Sequence, residues 1–314
     1  MKKSLLELGE LRVVEHISKL VRDRLKDKKL EIFGVDDDAQ AILVDGLWLF
    51  LKIDGTSASS SMYPWLTFSE FGYRVALSAI TDLVAKNSKP LLLASSISIS
   101  GELQLEMVLD VVTGMQELAE ASGSLYIGGD INRLSYSDVV VDVASIGISR
   151  NPKPSTPFRA DLTVHSVKCL GLSSIPAALY YLRRDYHTWK DVLKATAKPE
   201  PPLKFFEYSD LVEASTDISD GLNSIRRVLE KSGSDLVLTY EAMCPEVIEF
   251  SREERVELSR LLSLMGEEYT VVSAAEDVDL PTTKIGRTVK GEGRIYFEGR
   301  ELRGGWDNFL GYTY

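Results

Sequence analysis

The chain has 314 residues, 44% of them hydrophobic and 26% charged, enough to bury more than one core in a soluble globular protein. Its formal net charge of −11 leaves no excess of lysine and arginine to track a nucleic-acid backbone, so no nucleic-acid partner is expected, although a small anion could be held through metal ions. Only two cysteines, Cys169 and Cys244, and three histidines argue against a disulfide framework, a thiolate metal site and a histidine-rich zinc site.

Residues 4–27 place Leu5, Leu8, Leu11, Val14, Ile17, Leu20 and Val21 at helical spacing, with Arg22, Arg24 and Lys26 near the end. The charges at the start stand too close together for a secretory h-region and no apolar run reaches membrane-spanning length, so no secretory leader, no membrane partner and a cytoplasmic protein are expected. Gly34 and the acids Asp36, Asp37 and Asp38 stand before an apolar strand, a pattern that could also be a solvated turn. Strands 41–44 and 47–53 follow, joined by Asp45-Gly46, a pair that favours a tight hairpin. The second is expected to end on Asp54. Gly55 to Ser61, small and rich in hydroxyls, then reads as a loop that faces a ligand rather than a linker.

Helix 68–86, built on Phe71, Val75, Ala79 and Leu83, carries Thr81 and Asp82 in its last turns, where the macrodipole disfavours an acid. A strand at 91–100 and a long helix at 101–121 come next. A short strand from Leu125 is expected to break at Gly128-Gly129, with Asp130 immediately after; paired glycines let backbone approach a ligand, or simply turn the chain. Residues 139–149, nearly all Val, Ile and Ala, predict a central strand. The proline-rich run 151–157 is the best domain boundary, giving units 1–150 and 151–314.

The second unit opens with a strand at 161–166, a helix at 174–184 and an extended connector at 196–202. Then comes Thr216-Asp217-Ile218-Ser219-Asp220-Gly221-Leu222, running into a helix through Leu222, Ile225 and Leu229. One aspartate could merely cap that helix. Two aspartates and a serine exceed what one cap needs, and hard oxygen donors this close suit Mg²⁺ on a polyphosphate. A strand at 234–240, a helix at 252–264, a break at 265–269 and a strand at 270–274 follow. Short strands at 284–289, 294–297 and 300–302 lead to a terminal run around Trp306. No Walker loop and no Gly-x-Gly-x-x-Gly after a strand is present.

In order along nearly the whole chain, Leu8-Gly9-Glu10-Leu11, Asp37-Asp38-Ala39, Asp54, Thr81-Asp82-Leu83, Gly128-Gly129-Asp130, Asp217 to Leu222, Gly266-Glu267-Glu268-Tyr269 and Gly305-Trp306-Asp307-Asn308-Phe309 resemble the thiamine-monophosphate kinases. These belong with aminoimidazole ribonucleotide synthetase, selenophosphate synthetase and HypE. The resemblance implies an α+β, two-domain PurM-like (AIR synthase-like) fold whose first sheet pairs across a homodimer. It also implies Mg²⁺-assisted transfer of the ATP γ-phosphoryl group to thiamine monophosphate. In that scheme Asp37, Asp38, Asp54, Asp82 and Asp130 hold metal ions on ATP, while Gly128, Gly129, Thr81 and Arg133 contact the nucleotide. Asp217, Ser219 and Asp220 are the catalytic group, both acids doubling as metal ligands. Trp306 stacks on the thiamine rings, with Asp54 also beside the substrate. Asp36 replaces a family glycine, the loop at 55–63 lacks a family histidine, and Glu268 and Asn308 replace an aspartate and a histidine. These departures leave two alternatives: a relative acting on another small acceptor, or a non-catalytic nucleotide-binding protein.

Overall fold

The computed structural model describes residues 4–25 and 31–312; Lys26, the expected end of the first helix at 26–27 and the side chain of Leu11 lie outside what is described. The first half contains α1 (Leu5–Leu25, two helical pieces that meet at a kink at Gly9), β1 (Ile32–Phe33), β2 (Gln40–Val44), β3 (Leu47–Ser57) and α2 (Ala58–Ser61). It continues with α3 (Phe68–Ala85), β4 (Lys89–Ser100), α4 (Leu105–Ser122), β5 (Leu125–Leu134) and β6 (Val139–Ser149). Its six strands form one sheet in the order β1-β2-β3-β6-β4-β5, with the Val- and Ile-rich β6 central as its sequence predicts. The β2–β3 hairpin turns through Asp45 and Gly46, both at positive φ, 48° and 78°, as a primed turn requires.

Two glycine-bearing segments behave differently from expectation. β3 does not end at Asp54 but pairs with β6 as far as Ser57, so only the short α2 remains of the expected loop. Gly55 permits this, because a Cβ there would lie 2.1 Å from Asp142 Oδ1 on the neighbouring strand. β5 likewise runs straight through Gly128 and Gly129 instead of breaking. A Cβ on Gly129 would meet the Ser95 carbonyl at 1.7 Å, and a register shift between Leu93 and Ser95 absorbs the irregularity.

The second half contains β7 (Thr163–Ser166), α5 (Ser174–Tyr181), α6 (Lys190–Ala197), β8 (Ala214–Asp217), α7 (Leu222–Ser232) and β9 (Ser234–Leu238). After these come α8 (Pro245–Glu254), α9 (Leu258–Ser263), β10 (Val271–Ala275), β11 (Thr283–Lys290), β12 (Ile295–Phe297), β13 (Arg300–Leu302), β14 (Trp306–Asp307) and β15 (Gly311–Tyr312). Seven strands make a second sheet, β13-β12-β9-β11-β7-β10-β8, and β14 pairs with β15. The helix expected over 252–264 is two, α8 and α9, because Arg255 adopts a left-handed conformation at φ 54° between them.

The cysteines correct the sequence reading. Cys169 and Cys244 form a disulfide with their Cα atoms 4.9 Å apart. Backbone hydrogen bonds from Leu170 to Ala242 and from Cys244 to Leu170 bring the two segments side by side, which a separation of 75 residues does not reveal.

Helix α3 joins the halves. Its N-terminus is a capping box between Thr67 and Glu70, and it is buried on almost every side. One flank packs on the first sheet at Leu93, Val141 and Val143, and the same core takes in Phe205, Tyr208, Val271 and Ala275 from the second half. That packing brings the last turns of α3 beside β8.

Candidate active site

A cavity of about 600 Å³ opens where α1, the β1–β2 turn, β3, α3, β8, the start of α7 and β14 meet. Side chains alternate along β3, so Lys52 and Asp54 face inward together while Leu51 and Ile53 face out. Asp82 arrives from α3, Asp38 from the β1–β2 turn, and Asp217 is the last residue of β8. Carboxylate oxygens of Asp38, Asp82 and Asp217 all lie within 4.8 Å of one another. The Oδ2 atom of Asp217 is buried with no hydrogen-bond partner among the described residues. Hard oxygens converging on an unsatisfied carboxylate fit a Mg²⁺-sized cation.

Burial and mutual repulsion act on these acids together. Burial pushes Asp217 up to about 7, reinforced by Asp38 and Asp220 and opposed by Lys52. Burial and the neighbouring Asp217 raise Asp82 well above the usual carboxylate range. Burial, only partly offset by Arg227, raises Asp220 to about 6. Asp38 runs the other way: burial opposes its charge, but the Lys86 ammonium more than compensates and holds its carboxyl low.

The sequence-predicted residues divide. Asp38, Asp54, Asp82, Asp217, Ser219, Asp220 and Trp306 line the cavity together. Asp37 also reaches it, but its carboxylate is already engaged by Lys86 Nζ at 2.5 Å, the Ser155 N–H at 2.9 Å and the Asp38 N–H at 2.8 Å. Thr81, one position before Asp82 and so turned about 100° away on the helix, is fully buried and donates to the Ser78 carbonyl. Gly128, Gly129, Asp130 and Arg133 do not line the cavity. Asp130 pairs across the sheet with Ser96, then Asp142, then Gly55. Three strand spacings, about 14 Å, therefore separate it from the Asp54 region, and it lies exposed on the sheet's open face.

Several cavity residues had escaped the sequence reading. Arg227, on α7 seven residues beyond Asp220, pairs with its carboxylate. Lys52 Nζ lies 2.6 Å from Asp82 Oδ2. Tyr63, Tyr180, Tyr181, Tyr312 and Trp306 also line the wall, in successive ring contacts with centroids 5.0–5.5 Å apart. Alternation along β3 could have flagged Lys52, and the seven-residue spacing could have flagged Arg227. The tyrosines come from distant segments and carry no local signal.

The two terminal motifs find each other. Asp307 accepts from the Glu10 N–H at 2.9 Å, and Glu10 accepts from both the backbone and the side chain of Asn308. Gly9, at φ 70°, makes that approach possible, since a Cβ there would sit 3.2 Å from Asp307 Oδ2. Helix α1 is thereby held over the cavity with Trp306 beneath it, although Leu6, Ile17 and Leu20 remain exposed rather than packed.

Residues 36–149 match the family model described as AIR synthase related protein, N-terminal domain. The thiamine-monophosphate kinase of Pyrobaculum calidifontis is 31% identical over 283 residues, covering 89% of this chain and 92% of that protein. Among solved structures, AaThiL complexed with AMPPCP and TMP superposes with a TM-score of 0.83 at 19% identity, covering 98% of this chain and 99% of that one. Thiamine monophosphate kinase from Aquifex aeolicus superposes with a TM-score of 0.76 at 19% identity, over 96% and 99%. These likenesses bear out the mixed α and β PurM-like architecture, and with it the chain belongs to the thiamine-monophosphate kinase family.

Proposed function

We propose that this protein is an ATP-dependent kinase that phosphorylates thiamine monophosphate to thiamine diphosphate. The observation that carries the reading is one cavity lined both by clustered carboxylates and by a run of aromatic rings. A divalent ion such as Mg²⁺, held by Asp38, Asp82 and Asp217, would supply the charge neutralisation that lets two anions approach. Arg227 and Lys231, which also line the cavity, present cationic donors to phosphate oxygens. The acceptor phosphate is already ionised at neutral pH, so no side chain need remove a proton from it. Orientation and charge are what the protein contributes. Trp306, Tyr312 and Tyr63 offer π-faces to flat cationic rings.

The fold divides into units at about residue 150 in this reading, the first carrying most of the acids. The open face of its sheet exposes Ile42, Val44, Leu49, Leu51 and Ile53 on adjacent strands, an apolar surface suited to a second copy of the chain. We assign Gly128, Gly129, Asp130 and Arg133 no role in the cavity of a single chain. Among the described residues no helix is long and apolar enough to cross a membrane. The test is purified protein with Mg-ATP and thiamine monophosphate, following ADP and thiamine diphosphate together. ADP formed only with another acceptor redirects the reading to that substrate, and nucleotide binding without turnover ends it.

A further inference from the structure

Lys52 and Lys86 both pair with the clustered aspartates, and their surroundings separate their roles. Lys86 is completely buried, and its three donors are matched by Asp37 at 2.5 Å, Asp38 at 3.0 Å and the Ser215 carbonyl at 2.8 Å. It does not line the cavity described above and ties the β1–β2 turn to β8. Lys52 lines the cavity, with Asp82 as its ion-pair partner at 2.6 Å. Asp54 stands two residues along the same inward face of β3, and the charges of Asp54 and Asp217 both act on the Lys52 ammonium.

We propose that the Lys52 ammonium is a resident cation of the carboxylate cluster, taking the place of one divalent ion beside Asp82 and Asp54. The proposal rests on the kinase reading only for its biological meaning. Physically it follows from what the cluster requires. Buried carboxylates this close cannot all remain ionised without cations among them. An ammonium on a four-carbon stem supplies one such cation at no concentration cost, and it excludes a second cation from the volume it fills. The unpartnered Oδ2 of Asp217, together with carboxylate oxygens of Asp38 and Asp82, still leaves a place for a metal. This chain therefore carries one cation position fewer for exchangeable metal than its carboxylates alone would support. Lys52 acts through Asp82 and Asp54, so it is a positioning residue.

The experiment is titration of the metal-free full-length protein with Mn²⁺ alone, by calorimetry and by the loss of free-Mn²⁺ electron paramagnetic resonance signal. Wild type is compared with Lys52→Met, Lys52→Gln and Lys52→Arg. The neutral variants are expected to bind one more Mn²⁺ per chain, or to bind it at least tenfold tighter, while Lys52→Arg keeps the wild-type count. If a neutral variant unfolds without metal, recovery of its thermal transition by Mn²⁺ supports the proposal and failure to recover overturns it. Equal stoichiometry and affinity in wild type and the neutral variants also overturns it. Mn²⁺ binding needs no turnover. A wild-type protein inert toward thiamine monophosphate would sink the kinase reading alone, and an active kinase with an unchanged Mn²⁺ count would sink this proposal alone.

Discussion

Lys86 Nζ lies 2.5 Å from Asp37 Oδ1 in the interior, a charge pair joining the residue after α3 to the turn before β2. Its two further partners, Asp38 and the Ser215 carbonyl, extend the tie to the neighbouring acid and to β8. Removing one member of a buried, hydrogen-bonded pair strands the other charge. Lys86→Met is therefore expected to destabilise the protein by roughly 3–5 kcal/mol. Urea unfolding monitored by circular dichroism measures it, and a loss below about 1 kcal/mol would show that the pair behaves like a surface ion pair.

Asp217 has a different duty, since one of its oxygens is buried and unpaired while Asp38 and Asp82 converge on it. Asp217→Asn keeps the shape and removes the charge. Activity is expected to fall by about 100-fold or more, with the fold retained in the absence of metal. Coupled measurement of ADP release alongside a melting curve separates the two effects. Retention of more than a tenth of wild-type activity would remove Asp217 from the proposed machinery.

How much of this was legible in the chain depends on the range of each signal. Asp217, Ser219 and Asp220 could be placed at a strand-to-helix turn because Leu222, Ile225 and Leu229 mark the helix locally. Asp45-Gly46 likewise announced its hairpin. Gly55 and Gly129 misled, since a glycine that opens a loop and a glycine that lets two strands pass closely look the same in sequence. The disulfide, the clasp between Glu10 and Asn308, and the tyrosine wall depend on contacts between distant segments, which no local period encodes. Asp130 was grouped with the other acids by order along the chain, whereas the sheet register sets it several strands away.

The metal-free protein should show an inverted pH response around this cluster. Asp217 rises from the ordinary 3.8 to about 7 on folding, and Asp82 is raised too. The native state therefore binds more protons than the unfolded chain between about pH 4 and 7. The associated stability is present in full at the acidic end and is lost as pH rises through 7. Relative to Asp217→Asn, wild type is expected to lose about 5 °C or more in Tm between pH 5 and pH 8. Excess Mg²⁺ at pH 8 should restore most of that loss. Parallel melting curves that keep a constant offset across the range would contradict the assignment.

The open face of the first sheet offers a test of association. Leu51 is 48% exposed on β3, opposite Ile146 of β6 and diagonal to Ile42, which pairs with Leu49, on β2. A charge at this point would have to be desolvated in any pairing of two such faces. Leu51→Glu is expected to convert a dimer to a monomer, or to weaken it by about 100-fold or more. Light scattering after size-exclusion chromatography reads the mass directly. A wild-type protein that elutes as a monomer at micromolar concentration would refute the pairing before any mutant is made.

Trp306 decides what the aromatic wall of the cavity recognises. Its indole N–H is spent on Asn308 Oδ1 at 3.0 Å, and its ring meets Tyr312 edge-on at 5.2 Å, so its orientation is fixed before any ligand arrives. A preset ring over a cationic heterocycle contributes about 1–2 kcal/mol. Trp306→Ala should therefore raise the KM for thiamine monophosphate about tenfold and leave the KM for ATP within about twofold, because the phosphate-binding cations lie on other elements. Trp306→Phe, which keeps a π-face but loses the Asn308 bond, should recover part of the loss. Steady-state kinetics with each substrate varied in turn distinguishes this from general damage. An equal rise in both KM values would mean that Trp306 only packs β14 against α7, and the aromatic wall would then need another explanation.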